Sequence, residues 1–211
     1  MSTRRRLTGS GYQKGYEAGV KAEYDKFWDA FQYNGNRKNY SYAFYQSYWN
    51  DTTYNPKYAI NGTNLQFCFR YAGITDTKVD IDLRNTTTEN GVSGIFSNAS
   101  KLKTIRKLIV DEATPFATNI FSECEALEDL TIEGIIGQNN FKVSASTKLS
   151  RDSIVSIINA LSATTSGLTV TLSNTAVNNA FETTEGAADG SSSAEWTALA
   201  ATKSNWTITL S

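Results

Sequence analysis

The chain has no histidine in 211 residues. The commonest general base and the commonest transition-metal ligand are therefore absent. Neither a Ser-His-Asp nor a Cys-His site can be assembled within it. Cysteine is almost as scarce: Cys68 and Cys124 alone cannot make a zinc site. A disulfide between them is not expected, because they fall in different repeats of the sequence, beyond bridging distance. No segment carries the ~20 apolar residues of a membrane span, so no membrane insertion is expected. Arg4, Arg5 and Arg6 are followed by no apolar run, so a secretory signal peptide is not expected either. Charge of neither sign dominates: 20 Lys plus Arg stand against 21 Asp plus Glu. That balance argues against a nucleic-acid partner, which calls for a basic face.

What is present is a core and a polar coat of Ser, Thr and Asn. Hydrophobic residues make up 40% of the chain, enough for a core of one domain or one domain plus an appendage. Charged residues make up only 19%, so polarity rests on residues that suit turns and sheet surfaces. Asn-x-Ser/Thr sequons at Asn39, Asn50, Asn61, Asn85, Asn98 and Asn205 read as products of that composition.

Residues 1–10 are polar and basic and read as a flexible leader. Residues 11–35 read as a helix. Tyr12, Tyr16, Val20, Tyr24 and Trp28 follow a four-residue step, with Phe27 and Phe31 beside them, and Asn34-Gly35 stops the pattern. So aromatic a face must be covered, either by the rest of its own domain or by a partner or further copies of the chain. Those five residues are the candidate oligomer or partner contacts. Residues 36–63 are denser still in aromatics. Tyr40, Tyr42, Tyr45, Tyr48, Trp49 and Tyr54 are candidate surface-binding residues, since aromatics with polar tips favour contact surfaces. The same residues would equally serve as an apolar cap over the open end of a repeat stack.

Residues 64–211 carry the repeats. Ile95-Phe-Ser-Asn-Ala-Ser-Lys-Leu matches Ile120-Phe-Ser-Glu-Cys-Glu-Ala-Leu 25 residues on, and Cys68-Phe-Arg-Tyr-Ala-Gly-Ile is a degenerate earlier copy. Each is followed by a short apolar run. A turn of helix or 3₁₀ would place Phe and Ala/Cys inward, the following Leu would turn the corner, and the run would pair as a strand with its neighbour. A second repeat aligns residues 159–173 with 197–211 without gaps; nine of fifteen positions are identical at an offset of 38. Ile154, Ile157, Ile158 and Leu161 form a helical stripe before the first copy. Ser192-Ser-Ala-Glu195 reads as a capping box before the second. Strands are thus expected near residues 81, 109, 131, 170 and 208. The implied architecture is α/β: one curved parallel sheet, one strand per rung, with right-handed crossovers and helices on the other face.

The pattern Ile-Phe-Ser-x-Ala/Cys-x-x-Leu-x-x-aliphatic over 94–136 resembles the BspA-like leucine-rich repeat of bacterial surface and phage proteins. The segments at 24–32, 39–44, 54–58, 176–183 and 194–196 are similar to blocks found in such proteins of gut Firmicutes and their phages. The resemblance implies a leucine-rich-repeat-like right-handed solenoid of about five parallel strands behind an N-terminal helix. It implies a non-enzymatic role in adhesion or tail-tip attachment, and supplies no catalytic residues. With no signal peptide and about five rungs, the expectation is a phage tail, baseplate or fibre component in the virion. Its partners would be other virion proteins, further copies of itself and a host surface glycan or protein. A bacterial cell-surface adhesin-like domain is the alternative.

Carboxylates alone can hydrolyse glycosides, which keeps one enzymatic reading open. Asp76, Asp80 and Asp82 cluster, as do Glu123, Glu125, Glu128 and Asp129. On a repeat stack these are expected as solvated faces and turns. No metal or cofactor site is expected: Asp189-Gly190 lacks the alternating acids of a calcium loop. Asp80, Asp82, Thr131, Glu133, Thr169, Thr171, Thr207 and Thr209 are expected on the outward sides of strands, open either to a ligand or simply to sheet pairing.

Overall fold

The computed structural model describes residues 39–45, 49–51, 54–56, 58–182 and 190–211. The leader, the helix at 11–35 with Tyr12, Tyr16, Val20, Tyr24 and Trp28, and also Tyr48, lie outside the described residues.

The fold is mixed α/β with parallel strands in two sheets, and among the described residues it closes no barrel. The first sheet has the order β1 (Ile60–Asn61), β2 (Ile81–Asp82), β3 (Thr104–Ile109), β4 (Asp129–Glu133). The second has β5 (Phe141–Lys142), β6 (Thr169–Leu172), β7 (Thr207–Leu210). All pairings are parallel, and β3 shifts register by a bulge between Ile105 and Leu108. Among the described residues there are four α-helices: α1 (Glu89–Val92), α2 (Arg151–Ala160), α3 (Asn174–Ala180) and α4 (Ala194–Ala201).

Each helix starts where a hydroxyl can take up an orphan N–H of the first turn. The side chains of Thr88, Ser150, Ser173 and Ser193 accept from the N–H groups of Gly91, Ser153, Ala176 and Trp196. The capping box expected at Ser192 is therefore displaced by one residue. Ser192 ends a 3₁₀ turn, Ser193 is the cap, and Glu195 pairs with Arg151 on α2 instead of folding back.

The five expected strands are β2, β3, β4, β6 and β7, but they do not share one sheet. The reason lies on α2. Ser153 and Ser156, one helical turn apart, each present a hydroxyl to the free edge of β4. Ser153 Oγ accepts from Leu130 N–H and Ser156 Oγ from Ile132 N–H, both at 2.8 Å. The helix thus satisfies the edge amides that a fifth strand would otherwise take, and the sheet ends there. The second sheet starts afresh at β5, a two-residue strand that the sequence pattern did not announce. In that sheet the 38-residue repeat sets the register: Thr169, Val170, Thr171 and Leu172 face Thr207, Ile208, Thr209 and Leu210. The repeat is not structural throughout, because Leu161 has left α2 to bridge Ile136 while its counterpart Leu199 is still inside α4.

The 25-residue repeats form a column of turns. Phe44, Phe69, Phe96 and Phe121 are buried and stack ring on ring, with centroids 4.9, 5.5 and 5.5 Å apart. Phe141 continues the column edge-on at 5.7 Å. Successive turns are also joined by backbone: Phe44 N–H to Cys68 C=O, Phe69 to Ile95, Phe96 to Ile120, all at 2.7–3.0 Å. Phe96, Ala99 and Leu102 point inward as expected, as do Phe121, Cys124 and Leu127. The described part of the aromatic segment at 36–63 is continuous with this column. Asn39 bridges Asn64, Phe44 supplies the first ring and β1 pairs with β2.

One apolar core runs from Tyr40 to Trp206 through both sheets. Cys68 and Cys124 are free and buried within it. Burial pushes the Cys124 thiol up to about 12, so it behaves as a small apolar filler. Among the described residues no helix is long and apolar enough to cross a membrane.

Candidate binding surface

The turns of the column bend through left-handed backbone. Tyr42 (φ 57°) and Phe67 (φ 54°) sit two residues before their stacked phenylalanines, and Gly94 (φ 58°) holds the same place before Phe96. Two residues after the rings, Tyr71 (φ 59°), Asn98 (φ 59°) and Glu123 (φ 57°) are left-handed as well. Such φ values are cheap for Gly and Asn and uncommon for bulky residues, where each costs on the order of 1–2 kcal/mol. Later turns place Gly94, Asn98 and the exposed Glu123 there. The first two place Tyr42, Phe67 and Tyr71.

These side chains leave the core and meet on the outside. Tyr42 packs against Tyr45 and Phe67 with centroids 5.4 and 5.3 Å apart, and Tyr45 meets Tyr71 edge-on at 5.8 Å. Arg70 lies across the group, its guanidinium 4.8 Å from the Phe67 ring and 5.0 Å from the Tyr71 ring. Tyr42 is 52% exposed and Tyr71 42%. The aromatic face ends at Gly94, whose missing Cβ is what leaves room for Phe67: a Cβ there would sit 2.5 Å from that ring.

Of the aromatic residues singled out from sequence, Tyr42 and Tyr45 belong to this surface. Trp49 is half-buried and edge-on to Phe44 at 5.7 Å. Tyr40 and Tyr54 correct the expectation, since both are core residues, and Tyr54 is wholly buried. Its hydroxyl donates to Thr77 C=O at 2.8 Å, which is how a buried phenol is satisfied, and burial pushes its pKa well above the ordinary 10.0. Phe67, Arg70 and Tyr71 were missed. Their signal was the Phe-x-Phe-x-Tyr spacing, which puts residues on either side of a stacked Phe at the same left-handed positions as Tyr42.

The charged residues of the strand faces have partners of their own, while Thr131 and Thr207 stand exposed. Asp82, expected outward, is 7% exposed and takes a two-pronged contact from Arg84 at 2.7 and 3.0 Å. Burial raises its pKa, but the hydrogen bonds and charge of Arg84 outweigh burial and hold it below 3.8. Asp80 lies 3.4 Å from Arg106, Glu133 2.6 Å from Lys107 and Glu128 3.3 Å from Lys103. Thr209 donates to Thr171 at 3.0 Å, the sheet-pairing use of a threonine ladder. A pocket of about 360 Å³ opens beside Phe121 and is lined by Glu123, Lys142, Ser144 and Ser211 among others; Glu123 is its one carboxylate side chain. A glycoside-hydrolysing pair needs two carboxylates about the scissile bond. Among the described residues no group of three Cys, Asp or Glu is placed to hold a metal ion.

No family model matches the chain, and no curated protein or solved structure does. The functional reading therefore rests on the geometry of the aromatic face and on the repeat pattern.

Proposed function

We propose that the chain is a non-enzymatic binding and structural module whose contact surface is the face formed by Tyr42, Tyr45, Phe67, Arg70 and Tyr71. The observation that carries this reading is the placement of three bulky aromatics at left-handed positions where the later turns use Gly94, Asn98 and Glu123. Backbone strain held at one face, for side chains that do not fill the core, is the mark of a site kept for contact. Exposed tyrosines beside an arginine are also the favoured composition of such surfaces.

The architecture fits a leucine-rich-repeat-like right-handed solenoid: stacked phenylalanines, parallel strands and a hydrogen-bonded turn per rung all favour it. Together with the resemblance of the 94–136 repeats, this supports reading the module as part of a phage tail, baseplate or fibre that takes part in host attachment.

The test is adhesion to whole bacterial cells and to a glycan array, with the native chain and with a Tyr42→Gly/Tyr71→Asn double variant. Specific binding that the double variant loses is the expected result. Binding that the double variant keeps, or no binding to any cell or glycan, would overturn the assignment of this face.

A further inference from the structure

We propose that the ligand of this face is an acidic saccharide, its carboxylate taken by Arg70 and its sugar ring laid on the exposed tyrosines. The inference rests on the aromatic face being the contact surface.

Arg70 stands apart from the other described arginines. Arg84 has Asp82 at 2.7 Å, Arg106 has Asp80 at 3.4 Å, and Arg151 is paired with Glu195. Among the described residues Arg70 has no carboxylate partner, only the 3.4 Å contact from its Nη2 to the hydroxyl of Tyr71 and the two rings beneath it. Its Nε is shut off from solvent by those rings and has no hydrogen-bond acceptor. The result is a cation partly stripped of water, held flat by aromatic faces, with its charge uncompensated. Such a guanidinium favours an anion, and its planar fork matches a carboxylate in particular. The rings strengthen the arrangement by holding the cation in place before the ligand arrives.

The rest of the surface selects the body that carries the carboxylate. The backbone amides of the turns are already used: Tyr42 N–H donates to Gln66 C=O, Phe67 to Ser93 and Tyr71 to Ser97. Among the described residues these three N–H groups are not open to an extended peptide, which disfavours the main-chain mode of peptide capture. Recognition falls to ring faces and phenol hydroxyls. A pyranose complements both, with C–H bonds on one face for the electron-rich rings and hydroxyls at its rim for Tyr42, Tyr45 and Tyr71.

The experiment titrates the full chain by NMR and calorimetry with 3′-sialyllactose and trigalacturonate, each beside its neutral counterpart, lactose and the trigalacturonate methyl ester. Tetraglutamate serves as an acidic peptide. We expect the acidic sugars to bind, with affinity that falls as salt rises and at least tenfold weaker binding of the neutral forms. Arg70→Gln should lose that difference. Arg70→Lys, which keeps the charge but not the planar fork, should fall between. Thermal melting of each variant separates lost binding from lost fold. Neutral sugars bound as tightly as acidic ones, and lost with Tyr42→Gly/Tyr71→Asn, would overturn the role of Arg70 while the aromatic face stood. Tetraglutamate bound as tightly as the acidic sugars would overturn the saccharide. If none of the probes binds the chain, the proposal also falls. Whole-cell adhesion then decides separately whether the face itself is a contact surface.

Discussion

Phe69 and Tyr71 are two residues apart and do opposite things. Phe69 is fully buried, stacked between Phe44 and Phe96, and ties three turns together. Truncating it to Ala should destabilise the chain by about 3–5 kcal/mol, as for other buried aromatic residues, and urea unfolding measures it. Tyr71 has its ring outside and its backbone strained. Gly94 shows the same constraint from the other side. Gly94→Ala would force a methyl group into the Phe67 ring at a φ that disfavours it, and the combined effect should be a loss of about 1–3 kcal/mol. If denaturation shows Gly94→Ala to be neutral, the tight seat of Phe67 is not real.

At the scale of elements, α2 decides the architecture. Its hydrophobic stripe, with Ile154, Ile157 and Ile158 buried, was legible as helical periodicity. Its other role was not. Serines at 153 and 156 look like unremarkable polar residues until β4 is beside them, because a hydroxyl that replaces a neighbouring strand leaves no periodic trace. Strand existence was legible from the alternation at 169–172 and 207–210, and the 38-residue offset even carried the register. Strand membership in two sheets was not, nor were the two-residue strands β1 and β5, too short for any period. The turn residues were legible only in part. The repeat revealed which Phe is inside, but not that the flanking residues are left-handed and face out. Tyr54 and Tyr40 were misread for the same reason: composition marks an aromatic segment without saying which rings turn inward. Ser153→Ala should strip the buried Leu130 N–H of its acceptor and lower stability by about 1–3 kcal/mol. Hydrogen exchange at Leu130 should quicken by more than exchange in β6. Equal exchange at both positions would mean that the hydroxyl does not hold the β4 edge.

Across the whole molecule, the two sheets are joined by one core and by a polar tie. Glu112, in the turn after β3, accepts from Ser162 at 2.6 Å and Thr164 at 3.0 Å in the segment leading to β6. The hydroxyls of Ser162, Thr164 and Thr165 hold its carboxyl below the ordinary 4.5 against a small opposing effect of desolvation. A carboxyl lowered in the folded state stabilises it fully above the unfolded value, and the contribution fades as pH falls through the lower folded value. Protection of the 162–165 amides should therefore hold down to pH 4.5 and weaken below it, and Glu112→Gln should remove the pH dependence. Protection that fades instead between pH 7 and 5 would assign the tie to another group. Because Ile105 of the first sheet and Val170 of the second share one core, far-UV circular dichroism and tryptophan fluorescence should report a single coincident unfolding transition.

The central claim is that the strained aromatics serve contact and not folding. The most direct measurement is the melting temperature of the Tyr42→Gly/Tyr71→Asn double variant, which gives the first turns the residue types the later turns use at Gly94 and Asn98. Relief of left-handed strain, about 1–2 kcal/mol per residue, and loss of exposed ring contacts, about 0.5–1.5 kcal/mol each, are of similar size. A melting temperature within a few degrees of the native chain, or above it, is the expected result. A fall of the size that Phe69→Ala produces would show that these tyrosines hold the fold together, and would contradict the account.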